Sequence, residues 1–221
     1  MDRRETAWKK SRKFGDVYGG RNSPKIPDRI ISRAHSLSPP GPHDETPIFI
    51  TDNPSRDYLF PVDADDIRRE LQHLPEDDWS TITHIWLRRF KKTDYERGEI
   101  PLAEFICGSG VRLVVLYPWP IDLKLFISKK RPTDRQLKFY ADHKTELIEQ
   151  QDGWYLEWEL AELKDFYIQT LLFHEIGHNV DWYRRHWSKS NVREREEFAD
   201  QYAYERTSKR CLRFAPTHDA T

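Results

Sequence analysis

His174-Glu175-Ile176-Gly177-His178 is the stretch on which the reading of the whole chain turns. Two histidines four apart on a helix lie about 40° apart round the axis and about one turn along it, so both imidazoles reach a single ion. Glu175 flanks the same face, where its carboxylate can touch a metal-bound water without being a ligand, the place of a general base. The pattern is half of a zinc site.

The surroundings supply the helix that this geometry needs. From about Leu160 to His186 no proline intervenes and Gly177 is the only weak helix former, while Leu163, Phe166, Leu171, Ile176 and Val180 keep one side apolar. One continuous helix is expected over that span.

A catalytic zinc takes three protein ligands and keeps a fourth position for water, so a partner is required. His186 would sit ~12 Å along the axis from His178, too far to share its ion unless the helix breaks first. The position of a third metzincin histidine is occupied by Arg184, which removes that arrangement. Glu196 is the better candidate. On a helix, Glu196, Ala199, Asp200 and Ala203 share one face, with Phe198 and Tyr202 on the neighbouring flank. The two alanines permit close approach to the zinc helix, Glu196 then reaches the metal, and Asp200 accepts the free ring N–H of His174 and fixes its tautomer. The plain alternative is a solvated charged face with alanines for helix propensity. The place of the segment just past the histidine helix, with Ser188 to Arg193 to reverse the chain, favours the ligand reading.

Composition sets bounds on this. The 221 residues suit one domain with appendages, and an aromatic content of 13 % (8 Trp, 10 Tyr, 11 Phe) is enough for a core. Lys plus Arg (36) nearly cancel Asp plus Glu (37), which gives no global electrostatic reason for a nucleic-acid or anionic-membrane partner. The two cysteines, Cys107 and Cys211, make neither a disulfide framework nor a cysteine zinc ribbon. With no signal-length or membrane-length apolar run, the chain reads as cytoplasmic.

Residues 1–47 are rich in Pro, Ser, Arg and Lys (10 Arg/Lys against 6 Asp/Glu) and read as a basic extension with at most a short helix near Trp8. A domain follows over 48–210, then a tail over 211–221. Within the domain, Ile48-Phe49-Ile50 reads as a strand, and Asp63 or Asp65 caps a helix through Leu74. Ile82 to Phe90 is a further strand. Leu102 to Cys107 and Val111 to Tyr117 flank Gly108-Ser109-Gly110, whose glycines suit a tight hairpin, and the second strand is apolar enough to be covered on both faces. Ile121 to Ile127 alternates strictly and marks a sheet edge. Thr133 or Asp134 caps a helix expected to reach Gln150, and Trp154 to Trp158 is a last strand or the lead into the zinc helix.

The run His174-Glu175-Ile176-Gly177-His178 followed by Glu196-x-x-Ala199-Asp200 resembles the gluzincin zinc metallopeptidases, and its Glu-x-x-Ala-Asp-x-Tyr-Ala portion is similar to the small cytosolic ImmA/IrrE-type members. The likeness covers about 45 residues. No helix-turn-helix is recognisable, and the Leu-Met-Pro that often follows in those members is absent after Ala203. The resemblance implies an α+β, zincin-like fold: a small twisted, mostly antiparallel sheet packed on the zinc helix and on the following Glu-bearing helix, its edge strand pairing with an extended peptide. It also implies one zinc ion held by His174, His178 and Glu196, with Glu175 as base and Asp200 behind His174.

The function expected is that of a zinc-dependent endopeptidase acting on a restricted protein substrate, by analogy a transcriptional regulator. Tyr183, Tyr202, Tyr204 and His186 are all near enough in sequence to serve the oxyanion. A non-catalytic adaptor built on the same zinc fold and a DNA-associated SprT-type protease are the rival classes. The basic patches Arg3 to Arg33 and Lys129-Lys130-Arg131 speak for the latter, and near-zero net charge against it. Cys107, in a strand, reads as a buried apolar residue, and Trp154 and Trp158 as core. His35, His43, His73, His84 and His143 have no ligand-like spacing.

Overall fold

The computed structural model describes residues 37–89, 102–141 and 143–214. The basic stretch Arg3 to Arg33, His35, the helix anticipated near Trp8, and Phe90 lie outside them.

Ile48–Thr51 forms β1, and Tyr58–Leu59 forms β2, which pairs with β6 (Trp119–Pro120). The first helix, α1, spans Ala64–Leu71. Asp63 caps it as expected, its carboxylate accepting from the N–H groups of Asp65 and Asp66 at 2.9 and 2.8 Å. Ile67 and Leu71 point into the core. A single turn, α2 (Glu76–Trp79), leads to β3 (His84–Leu87), shorter than the strand anticipated from Ile82.

The hairpin of β4 (Ala103–Gly108) and β5 (Val111–Leu116) turns through Ser109 and Gly110, at φ of 53° and 77°. Ser109, not Gly108, shares the left-handed work, because a two-residue loop of this kind needs positive φ at both of its residues. The apolar run of β5 is covered on both faces. Val114 and Leu116 join the main core, while Val111, Leu113, Val115 and Tyr117 pack with Trp86, Ile106 and Leu37 on the other side.

These strands make a four-stranded sheet in the order β1-β3-β5-β4, with β1, β3 and β5 parallel and β4 antiparallel at the edge. The sheet expected to be mostly antiparallel is therefore mixed where it meets the histidine helix. A second, wholly antiparallel sheet has the order β7-β9-β8, from Lys124–Ser128, Gly153–Trp158 and Thr145–Gln150. The alternating stretch from Ile121 is indeed an edge, but of this second sheet. It begins only at Lys124, since Leu123 takes φ 59°, and it is bulged between Phe126 and Ser128.

The largest departure from expectation lies at 134–150. Only Asp134–Leu137 is α-helical (α3), followed by a 3-10 turn to Tyr140, and Thr145–Gln150 is the strand β8. Pairing with β9 overrides the helix formers, setting Leu147 opposite Leu156 and Ile148 opposite Tyr155. Gly153 makes this possible. At φ 154° it sits where a Cβ would come within 2.6 Å of the Phe126 ring and 2.7 Å of the Ser128 carbonyl.

One helical rod then runs from Leu160 to Trp182 in three parts: α4 (Leu160–Asp165), a π-helical segment (Phe166–Leu172) and α5 (Phe173–Trp182). It stops four residues short of His186. In the π segment Phe166, Tyr167, Ile168, Leu171 and Leu172 are buried, and Trp119 meets Trp158, Phe166 and Tyr167 edge to face at 5.7, 6.1 and 6.1 Å. The Tyr167 hydroxyl donates to the Tyr117 carbonyl at 2.7 Å, so the ring is buried without an unmet hydroxyl.

A 3-10 turn at Lys189–Asn191 reverses the chain into α6 (Val192–Phe214), which runs past the boundary drawn at 210. No helix among the described residues is long and apolar enough to cross a membrane.

Candidate metal centre

Two helices and one strand build the site. α5 packs against α6 on one side and against β4 and β5 on the other. The α5–α6 contact is close at Gly177, where a Cβ would stand 2.9 Å from the Ala199 Cα and 3.2 Å from its carbonyl oxygen. Ala199 is fully buried and Ala203 nearly so. Small residues on both helices thus bring their backbones together, and the side chains on either side of that contact meet.

Those side chains are His174, His178 and Glu196, one potential ligand atom from each lying within 4.8 Å of the others. The Glu196 carboxylate oxygen Oε2 stands 3.4 Å from His174 Nε2 and 3.5 Å from His178 Nε2. The two rings are nearly perpendicular, with centroids 4.7 Å apart. Atoms bound tetrahedrally to one ion at the ~2.0–2.1 Å of zinc–nitrogen and zinc–oxygen bonds stand ~3.3–3.4 Å from each other. The two separations from Glu196 match that spacing.

His174 is held from behind. Its Nδ1–H donates to Asp200 Oδ1 at 2.9 Å, which leaves Nε2 as the lone-pair nitrogen facing Glu196. His178 has no such partner among the described residues: its Nδ1 is buried and unbonded, and its ring packs edge-on against Trp187 at 5.5 Å. Burial first, then the His174 ring and the Arg195 guanidinium, push the His178 pKa down to about 3. A neutral, buried imidazole with its lone pair aimed at a carboxylate is the state in which histidine binds a metal.

Glu175 is buried on the flank, as the motif geometry requires. Burial, reinforced by the negative charges of Glu196 and Glu104, holds its carboxyl well above the ordinary range, against the N–H of Phe105 in β4, which donates to it. A group so placed has a high proton affinity, and a cation held by its three neighbours would offset the repulsion. The donor set, its spacing from Glu196 and the crowding of Glu175 by Glu196 and Glu104 fit a divalent ion.

The remaining buried polar side chains of α5 each have a partner. Asn179 donates to the Asp78 carbonyl and to Thr81 Oγ1, both at 3.0 Å. Asp181 accepts from Trp187 Nε1 at 3.0 Å and lies 2.7 Å from Arg185 Nε. Of the tyrosines near in sequence, Tyr202 donates its hydroxyl to Asp78 at 2.8 Å, where Arg206 also bonds at 2.6 Å, so it pins α6 to α2. The Tyr183 ring carries the Arg112 guanidinium at 4.0 Å, and Tyr204 and His186 are exposed.

Sequence reasoning did not find Trp187, Glu104 or the Phe105 N–H. Trp187 lies past the helix end in a stretch with no periodicity, and the two β4 residues reach the site only through the packing of sheet on helix. Trp158, by contrast, is core as read, while Trp154 is half-buried beneath Arg131 at 5.4 Å. Neither a protein-family model nor a curated protein nor a solved structure matches this chain.

Proposed function

We propose that the chain is a zinc-dependent endopeptidase of zincin-like architecture, with His174, His178 and Glu196 as ligands, Glu175 as general base and Asp200 orienting His174. The observation that carries this reading is the placement of two imidazole Nε2 atoms 3.4 and 3.5 Å from one carboxylate oxygen, with a buried Glu175 beside them. Two imidazoles and a carboxylate form a familiar zinc set, and zinc there would act as a Lewis acid, lowering the pKa of a bound water towards ~7.

Glu175 takes the proton of the attacking water and passes it to the leaving amine, and its raised proton affinity suits both transfers. Its retention favours an enzyme over a non-catalytic adaptor on the same scaffold. β4 is the terminal strand of its sheet, and the N–H of Phe105 is turned outward to Glu175. An extended peptide adding to that edge would present its backbone at the base, the strand-addition mode of peptide binding. A transcriptional regulator is the substrate class proposed from the resemblance of the motif.

The test is hydrolysis of unfolded protein substrates by the zinc-loaded chain, with zinc stoichiometry measured alongside. Glu175→Gln should retain one zinc and lose activity by ~10²–10⁴-fold. Full activity in that variant, or failure of the wild-type chain to hold zinc, refutes the assignment.

A further inference from the structure

Two guanidinium groups beside the metal centre have no counter-charge among the described residues. Arg195 precedes the ligand Glu196 on α6. Its guanidinium stacks over the Trp187 ring at 4.3 Å, and its Nε is buried without a hydrogen-bond acceptor. Arg112, on β5, stacks over the Tyr183 ring at 4.0 Å, and its Nη1 is buried and equally unbonded. Of the other arginines of this region, Arg185 pairs with Asp181 and Glu194, Arg193 with Glu197 and Arg206 with Asp78, while Arg184 stacks over the Phe198 ring at 4.9 Å.

Both unpaired groups act on one point. Arg112 stands opposite Cys107 in the β4–β5 ladder, and the positive charges of Arg112 and Arg195 both bear on the Cys107 thiol. Burial outweighs them and pushes that thiol up, so at neutral pH the sulfur carries no charge to offset theirs. Stacking on an aromatic ring occupies only the face of a guanidinium. The N–H donors lie in its plane, in a fork that matches a planar carboxylate. Buried donors without an acceptor oppose folding, which makes this arrangement costly unless something binds there.

The location says what that would be. Trp187, the platform of Arg195, touches the His178 ring at 5.5 Å and the Phe105 ring at 5.9 Å. Phe105 and Cys107 are two apart on β4, so both side chains are on the sheet face turned to α5, and the Phe105 N–H bonds Glu175. A peptide laid along the edge of β4 with its scissile bond at Glu175 would carry a flanking group to Cys107, opposite Arg112 in the ladder and two residues from the Phe105 ring that packs on the Arg195 platform. We infer that Arg112 and Arg195 form a carboxylate-binding subsite next to the metal centre, which takes an acidic side chain or the terminal carboxylate of the bound peptide. This inference rests on the peptidase reading and adds a substrate preference to it.

The test uses the zinc-loaded full chain carrying Glu175→Gln, so that peptides bind without being cut. Four dye-labelled octapeptide pools are compared by fluorescence anisotropy: Glu or Gln at one fixed central position, each with a free or an amidated C terminus. Tighter binding of the Glu pool by about tenfold, with both C termini amidated, identifies the side chain as the source of the carboxylate. Tighter binding of the free-terminus Gln pool by the same factor identifies the chain end. In either case adding Arg195→Gln or Arg112→Gln should abolish the difference, and Arg195→Lys should keep part of it. Equal binding of all four pools overturns the subsite, as does a preference that survives both glutamine variants. Hydrolysis by the wild-type chain is scored separately. Carboxylate-dependent binding without hydrolysis would keep the subsite and refute the peptidase, and hydrolysis with equal binding would do the reverse.

Discussion

The two halves of the Leu160–Trp182 rod bury opposite kinds of side chain. The first half, through the π segment, puts Leu163, Phe166, Tyr167, Leu171 and Leu172 against Trp119 and Trp158, and its one buried hydroxyl is bonded. The second half buries Glu175, His178, Asn179 and Asp181 within seven residues. Burial of an apolar ring stabilises wherever it packs, whereas burial of a polar group costs free energy unless a partner is found. Asn179 and Asp181 have their partners. Glu175 and His178 do not have enough, and the unmet demand coincides with the proposed metal site. The π geometry falls at the junction of the halves, where such irregularities often accompany function.

That contrast can be broken from either side. The largest effect is expected in the apolar half: Phe166→Ala should cost ~3–5 kcal/mol of stability in urea unfolding, since a fully buried ring leaves a cavity among rings that are already in contact. Its zinc stoichiometry should be unchanged where the variant is folded. In the polar half, zinc at a hundredfold excess over its dissociation constant should stabilise the wild-type chain by ~2.7 kcal/mol, and His178→Ala should remove that gain. Thermal unfolding with zinc and with a chelator reads both.

Gly177→Ala tests the contact that joins the two halves to α6. A methyl group 2.9 Å from the Ala199 Cα meets backbone, which cannot swing away, so ~1–3 kcal/mol of destabilisation is expected together with weaker zinc binding. Asp200→Ala should leave the fold intact and weaken zinc binding ~10–100-fold by competition titration, because the residue only orients the His174 ring.

The smallest effect is a dependence on pH. Glu175 has its folded pKa raised above the ordinary 4.5, so the metal-free fold favours its protonated form. Its contribution is therefore fully present below about pH 4.5 and is lost as pH rises through the folded value. Metal-free Glu175→Gln should unfold at higher urea concentration than metal-free wild type at pH 8, and the gap should close as pH falls to 4.5. A constant gap would mean that Glu175 is not buried as a charge.

Legibility differed by element for physical reasons. The Asp63 cap and the β4–β5 hairpin were readable because Asp63 and the Ser109-Gly110 turn act within four residues. The strand β8 was not, since Thr145 to Gln150 contains good helix formers and becomes a strand only by pairing with β9 and packing around Gly153. The mixed order β1-β3-β5-β4 was equally hidden, because parallel pairing joins segments far apart in the chain.

At the site, the amino-acid sequence alone determined which atoms can meet along one helix: four-residue spacing places His174 and His178 on one face with Glu175 beside them, and the Glu196, Ala199, Asp200 and Ala203 face follows from the same period. Only the tertiary structure decided that the two faces converge to 3.4 and 3.5 Å. It also decided that Trp187 closes one side, that Phe105 bonds Glu175 across from the sheet, and that Tyr202 is committed to Asp78. Periodicity is local to a helix, while the meeting of a helix, a strand and a loop depends on the packing of the whole core.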